Sequence, residues 1–495
     1  MGNCCRPSRE SKIGLTSTQD YITPSGNIAG TFAINPANFI QISTLPITKD
    51  YEIGETLASG SFGEVYIGTH LSTGIKRAIK VIYIAEPDKN DMEKLCEEVS
   101  VLKVLDHPNI IRIFEVFNNK NKLYIVTELC TGGELFERIQ KSRRFGENQA
   151  AKYMLDIVSA IMHCHNQNIV HRDLKPENIL FENSNPDAKL KLVNFGTSKF
   201  IKPEKRLSQN IGTCYYMAPE ILTSTYSKEI DVWSLGVILY IMLSGHMPFP
   251  GSNDNEIYAK IKGAPLNFMH QSWLRVSEEA KILLRKMLDK NPNTRCTINQ
   301  VFNDNWLQTR GLSKVIDKEI EADSLQRLSC FSTHSKLQTA IYVFIVSQLL
   351  DNSHFDKLRE VFMCADKDGD GFLSKNEIEK ATEDFNFKID TQEIMKQCDT
   401  DKNGLINYSE FLTATVNKNK AYCRKNLENA FKRFDKNGDG QIDKEELRES
   451  LGKSAYESIV NRMVDEADTN KDGKINFDEF VEHMNKYSKE ISEIV

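Results

Sequence analysis

Between His171 and Gly196 the chain reads HRDLKPEN, a short polar insert, and then LKLVNFG. Asp173 stands five residues ahead of Asn178, with Lys175 between them. In the phosphoryl-transfer signature these types, in this order, supply a base for an incoming hydroxyl, a magnesium ligand and a cation facing the phosphate. The same signature asks for an aspartate at position 194 as the other magnesium contact, and Asn194 stands there instead. An amide oxygen can still touch Mg²⁺ but brings no negative charge to hold it. If the weakened clamp costs ~3–5 kcal/mol, the rate falls roughly 10²–10⁴-fold.

A second constellation repeats four times near the carboxyl end, over residues 366–377, 399–410, 435–446 and 468–479. Each loop has oxygen-bearing residues at positions one, three, five and nine, glycine at six, an aliphatic residue at eight and glutamate at twelve. The side-chain ligands are Asp366, Asp368, Asp370 and Glu377; Asp399, Asp401, Asn403 and Glu410; Asp435, Asn437, Asp439 and Glu446; and Asp468, Asn470, Asp472 and Glu479. Position seven adds a backbone carbonyl from Phe372, Leu405, Gln441 or Lys474. The glycine makes the turn, and a bidentate glutamate completes a site sized for calcium rather than magnesium. Counting position nine as well, the first and third loops carry four carboxylates and the second and fourth carry three. On charge alone the first and third are expected to bind tighter.

These residues need a large scaffold. At 495 residues the chain exceeds a single core, and length predicts roughly three domains. Apolar and charged fractions of 40% and 27% describe an ordinary globular protein. A net charge of −6 gives no bulk attraction to nucleic acid. Eleven scattered cysteines without a CxxC pair fit a reducing, cytoplasmic setting. The longest apolar run, Ala340 to Leu350, is far short of the ~20 residues that span a bilayer.

The chain opens MGNCC. Gly2 is the acceptor position for myristate once Met1 is removed, although Arg6 stands where the pattern prefers Ser or Thr. Cys4 and Cys5 sit where palmitate is commonly added, and two acyl chains are needed for stable anchoring. The expected location is therefore peripheral on a membrane. Residues 1–50 are otherwise read as a flexible segment rich in Ser, Thr, Asn and Pro.

From Tyr51 short β-type runs begin. Leu57-Ala58-Ser-Gly60-Ser-Phe-Gly63-Glu-Val65 is similar to a glycine-rich phosphate loop, with Ala58 replacing the first glycine. Ala78 and Lys80 follow in RAIK, and Glu98 lies on a stretch with helical apolar spacing. Together they match the lysine on the α- and β-phosphates and the glutamate that holds it. Further on come LYIVTELC, GTCYYMAPE, DVWSLG and Arg295.

With all these motifs in order, residues 51–307 resemble a protein kinase domain of the Ser/Thr type. The resemblance implies a two-lobed α+β fold and ATP with Mg²⁺ as cofactors. It implies Asp173, Lys175, Lys80 and Glu98 as catalytic residues. Nucleotide would be bound by Leu57, Ala58, Gly60, Gly63, Val65, Ala78, Lys80, Asn178 and Asn194, with backbone groups of Glu128 and Cys130 at the adenine and Glu134 near the ribose. It also implies that Thr213 braces Asp173 and Lys175, and that Glu220 pairs with Arg295.

Residues 308–355 read as a junction. Ala340 to Val346, with Leu349 and Leu350, is apolar almost all round, so a helix there must be covered by a partner surface. Upstream, Leu325 to Ser329 sets Arg327 near a serine, in the manner of a substrate mimic. Kinase, junction and an all-α calmodulin-like domain at 356–495 resemble the calcium-dependent protein kinase family. That resemblance implies autoinhibition by the junction, released when calcium-loaded EF-hands seize a seam of Ile341, Phe344, Val346 and Leu349. The reading is thus a calcium-regulated Ser/Thr kinase acting on protein substrates. The alternative is a calcium-responsive pseudokinase or scaffold, because of Asn194.

Overall fold

The computed structural model describes residues 34–40, 42–60, 63–84, 89–119, 121–201, 207, 212–222, 225–311, 317–333, 335–350, 354–383, 385, 390–452 and 455–486. Gly2, Cys4, Cys5 and Ser208 lie outside them. Strand β1 (Ile42–Ser43) is followed by β2 (Tyr51–Gly60), β3 (Gly63–His70), β4 (Lys76–Tyr83), helix α1 (Lys89–Val104), β5 (Ile113–Asn119) and β6 (Lys122–Thr127). The strands form one sheet in the order β1-β5-β6-β4-β3-β2. Pairing is antiparallel throughout except for β1, which runs parallel to β5 with Ile42 opposite Val116. Ile79, Val81, Val116 and Ile125 are fully buried, as expected for central strands whose β-branched side chains fill both faces.

The second lobe is helical. Its centre is Glu229–Ser244, whose residues from Ile230 onward are all buried; a helix apolar on every side has no face to give to water. It ends on Gly245 at φ 76, a left-handed closing position that suits glycine. Glu147–Asn166 packs beside it. Arg295 makes two hydrogen bonds to Glu220, at 2.6 and 2.9 Å, within the fully buried interior.

Beyond Gly311 a separate core gathers the junction and the four acidic loops. The loops pair through two-residue strands, Leu373 opposite Ile406 and Ile442 opposite Ile475. The aliphatic residue at position eight is therefore the one that joins the loops in twos. Position nine caps each exit helix: Ser374, Asn407, Asp443 and Asn476 accept from the backbone of the glutamate at position twelve, which reaches back in return. Each capping box thus orients the glutamate within its loop.

Two expectations are corrected here. The segment 1–50 is not flexible throughout, since Ile34, Phe39, Ile40 and Ile47 are buried. A 3-10 turn at Pro36–Phe39 and β1 occupy part of it; scattered apolar residues without a period found partners distant in sequence. Ser329, expected as a substrate mimic, ends a helix (Lys318–Ser329) that packs against helices of the first two acidic loops, Leu325 and Leu328 being buried there. Its hydroxyl caps Gln326 of its own helix.

The junction continues as helix Lys336–Phe344 and then a π turn, Ile345–Leu349. Ile341, Phe344 and Val346 are buried and Leu349 partly so, all in the second core. Ser335 and Gln338 bond to His483 and the Met484 carbonyl, while Tyr342 reaches the Val416 carbonyl. The helix is held by both loop pairs at once.

Candidate functional site

The catalytic loop is shaped by Asp231, a buried residue in the first turn of Glu229–Ser244. Its two oxygens accept the backbone N–H groups of His171 (2.9 Å) and Arg172 (3.0 Å), and His165 Nε2 lies 2.9 Å away. Burial pushes this carboxyl up, but the His165 bond, the adjacent imidazoles and the His171 amide outweigh it and hold it below its ordinary value. The helix amino terminus favours the same charge. Arg172, at φ 71, closes the loop against the Thr197 carbonyl.

Asp173 is then gripped on both oxygens. Thr213 donates to Oδ1 at 3.1 Å, Lys175 Nζ lies 3.0 Å from Oδ2, and the same lysine bonds Thr213 Oγ1 at 3.0 Å. Asn178 Nδ2 reaches the Asp173 carbonyl at 2.7 Å and Oδ2 at 3.1 Å. Lys80 of β4 and Glu98 of α1 meet at 2.7 Å. Phe195 is buried with its ring edge-on to His171 at 5.0 Å. Asp173, Lys175, Thr213 and Asn178 are therefore brought into one cluster, and Lys80 is paired with Glu98.

Asn194 sits at φ 63, a region that asparagine tolerates better than most side chains. Its Nδ2 donates to Asn178 Oδ1 at 3.1 Å. Among the described residues Asn178 and Asn194 thus offer a metal only neutral oxygens, with Asp173 alongside. This donor set fits Mg²⁺ when substrate phosphates supply the remaining charge.

Above the cleft, Ala58 pairs with Val65, Gly60 with Gly63, Val65 with Lys80, and Ala78 with Thr127. Ala58 stays in extended strand with negative φ, so its methyl group causes no backbone strain. Gly63 does require glycine: its φ is 115 and a Cβ would come within 2.1 Å of the Val81 carbonyl oxygen. Leu57 is exposed and Val65 half-buried, as befits residues at the cleft roof. The Glu128 N–H donates to the Arg112 carbonyl, and its buried carboxylate pairs with Lys191 at 3.0 Å. Only the carbonyl side of Glu128 can then serve an adenine. Cys130 follows it, half-buried.

Glu134 is the residue that starts the helix Leu135–Ser142. Burial raises its carboxyl above the ordinary value, and the charges of Glu137 and Glu177 raise it further. Glu177 Oε2 is buried with no hydrogen-bond partner. An unpaired carboxylate oxygen away from water, beside like charges, favours the approach of a cation.

The acidic loops share one internal pattern. Glycine at position six donates to the first aspartate of its loop in all four, at 2.8 or 2.9 Å. Position five caps the N–H of Phe372, Leu405, Gln441 or Lys474. Asp366, Asp368 and Asp370 gather within 4.8 Å, as do Asp399, Asp401 and Glu410. Burial, then Asp370, Glu377 and Asp368, push Asp366 up to about 8. Burial and Asp401 push Glu410 up to about 8, and Asp370 and Asp401 rise to about 6. Crowded carboxylates of this kind are what a divalent cation relieves, so the residues fit calcium. In the second pair Lys474 Nζ holds Asp439 at 3.1 Å, which lowers that carboxyl.

Several residues escaped the sequence reading. Asp231 was legible only as part of a motif. Arg359 makes a bidentate pair with Glu182 at 2.7 and 3.0 Å, joining the calcium-loop domain to the kinase-like lobe. Ser409 bonds Asp106, Arg433 bonds Glu115, and Arg77 donates to the Gln348 carbonyl at the end of the π turn. No local motif marks any of these pairs.

Comparison with known proteins matches residues 51–307 to the protein kinase domain, and residues 355–416 and 424–485 to the EF-hand domain pair. The chain is 38% identical over 448 residues to calcium-dependent protein kinase 5 of Plasmodium falciparum, covering 88% of this chain and 78% of that protein. It is 36% identical to calcium-dependent protein kinase 4 of the same organism, covering 97% and 93%. With calcium-dependent protein kinase 21 of Arabidopsis thaliana it shares 34%, over 94% and 88%.

Proposed function

The chain belongs to the calcium-dependent protein kinase family, and from that premise we propose how its own residues carry a calcium-regulated transfer of the ATP γ-phosphate to protein Ser/Thr hydroxyls. Asp173 takes the proton of the incoming hydroxyl. Lys175, held by Thr213, faces the moving phosphate. Lys80, fixed by Glu98, binds the α- and β-phosphates. The carbonyl of Glu128 and the backbone of Cys130 receive the adenine. Mg²⁺ when bound neutralises charge on the phosphates, and Asn178 and Asn194 are the side chains that would hold it.

The observation that carries this reading is the closed cluster of Thr213, Asp173, Lys175 and Asn178, together with an intact Lys80–Glu98 pair. Calcium regulation is supported by the crowded carboxylates of the loops and by a junction helix enclosed in their core. The acidic patch of Glu134, Glu137 and Glu177 favours substrates with a basic side chain near the acceptor hydroxyl.

The testing experiment is phosphotransfer to peptides with and without calcium, beside a thermal-shift measurement of Mg-ATP binding. Calcium-dependent incorporation supports the reading. Binding of Mg-ATP with no incorporation would instead support the pseudokinase alternative.

We further propose that Gly2 is myristoylated and Cys4 and Cys5 palmitoylated, placing the kinase at a membrane surface. No helix among the described residues is long and apolar enough to cross a membrane. Intact-mass measurement of the protein from its own cells, with Gly2→Ala as the comparison, tests this.

A further inference from the structure

The amino-terminal segment touches three bodies that the calcium switch must bring together. Its 3-10 turn, Pro36–Phe39, is started by a proline at the first position, and the Asn35 N–H bonds Asn38 Oδ1 at 2.7 Å. The Phe39 ring meets Phe344 of the junction edge-on at 5.3 Å and Phe434 at 6.2 Å; Phe344 and Phe434 are themselves 5.3 Å apart. Phe434 ends the helix that enters loop 3, Arg424–Phe434. The same turn packs on the helix leaving that loop, Lys444–Leu451, and on the junction helix. Ile34 is buried in the same core. Immediately afterwards the chain changes bodies: Ile40 is buried in the kinase core, and β1 adds a parallel strand to β5.

The seat of Phe39 is composite. One wall is the junction and the others are the two helices of loop 3, whose separation is what calcium changes in a sensor EF-hand. Phe344 of the junction supplies one of the three rings, so the cluster needs the junction in place. The other end of the segment, in contrast, joins a sheet edge that belongs to the kinase alone. Strand β5 also carries Glu115, which Arg433 of the loop 3 entering helix bonds at 2.6 Å. The segment and that ion pair therefore span the same gap from two sides.

We propose that residues 34–40, with β1 at Ile42–Ser43, form a clip that closes only on the calcium-loaded, junction-bound lobe and fastens it to the edge of the kinase sheet. The clip resists opening of the loaded state, so it sets the calcium concentration at which the enzyme turns on, not the rate of the chemical step. This rests on the calcium-regulated reading given above.

Two measurements on the full chain test it. Hydrogen exchange of the unaltered protein should show amides in 34–40, 42–43 and 116–117 protected with calcium and exchanging faster without it; equal exchange in both states would overturn the clip. The Phe39→Ala variant should raise the half-activating calcium concentration by about tenfold, within the usual range of coupling between sites, and leave the rate at saturating calcium within about twofold. An unchanged calcium midpoint would overturn the proposal. The exchange measurement needs no phosphotransfer, so failure of the clip and failure of the kinase reading give different results.

Discussion

Asn194 donates its side-chain amide to Asn178 Oδ1 at 3.1 Å, so the two residues proposed to hold Mg²⁺ are engaged with each other. An aspartate at 194 could not donate this bond and would present a charge instead. The Asn194→Asp variant should raise kcat at saturating calcium by about 10²-fold, corresponding to ~2.7 kcal/mol of barrier, and should lower the Mg²⁺ concentration needed. Steady-state rates over a magnesium titration check this. A rate unchanged within about threefold would show that the amide is not limiting.

Arg359 and Glu182 are both buried, at 3% and 8% side-chain exposure, and meet through two hydrogen bonds. Removing one partner strands the other charge away from water. Arg359→Met should therefore destabilise the docked, calcium-loaded state by roughly 3–5 kcal/mol, whereas the Arg359→Met, Glu182→Met double variant should recover most of that loss. Denaturant titration in calcium measures both. If the double variant is as unstable as the single one, the pair is not a unit.

Gly371 and Gly404 hold the same place in loops 1 and 2, at φ 84 and 85, but their surroundings differ. A Cβ on Gly371 would lie 2.4 Å from His163 Nδ1 on the kinase lobe, while Gly404 has nothing within 4 Å. Both alanine variants carry the left-handed penalty of ~1–2 kcal/mol. Only Gly371→Ala should also loosen docking, seen as faster amide exchange around residues 106–109. Equal effects from Gly371→Ala and Gly404→Ala would show that loop 1 does not need this close approach.

What could be read beforehand depended on how local each feature is. The calcium loops were legible because every ligand lies within twelve residues and the glycine is a backbone necessity. The junction seam was legible because Ile341 and Phe344 lie in a run that is apolar almost all round. The buried segment around Phe39 was not, since its partners Phe344 and Phe434 lie hundreds of residues away and its apolar residues keep no period. Arg359 and Glu182 are separated by 177 positions, and each alone looks like an ordinary surface charge. Asp231 shows the same limit within the catalytic site. Its type was plain, but the amides it gathers, at His171 and Arg172, are a product of the fold.

Phe344 and Ile345 are buried at the point where the junction helix passes into its π turn. Ring contacts with Phe39 and Phe434 surround Phe344. Phe344→Asp with Ile345→Asp would place two carboxylates in an apolar seam, where an unpaired charge costs several kcal/mol or must be neutralised. The acidic loops themselves are untouched, so calcium should still bind. The junction should no longer be held, and added calcium should neither protect residues 336–349 from exchange nor raise activity. Calorimetry separates the two steps: retained calcium binding with lost activation is the expected result, and activation at the normal calcium concentration would refute the seam.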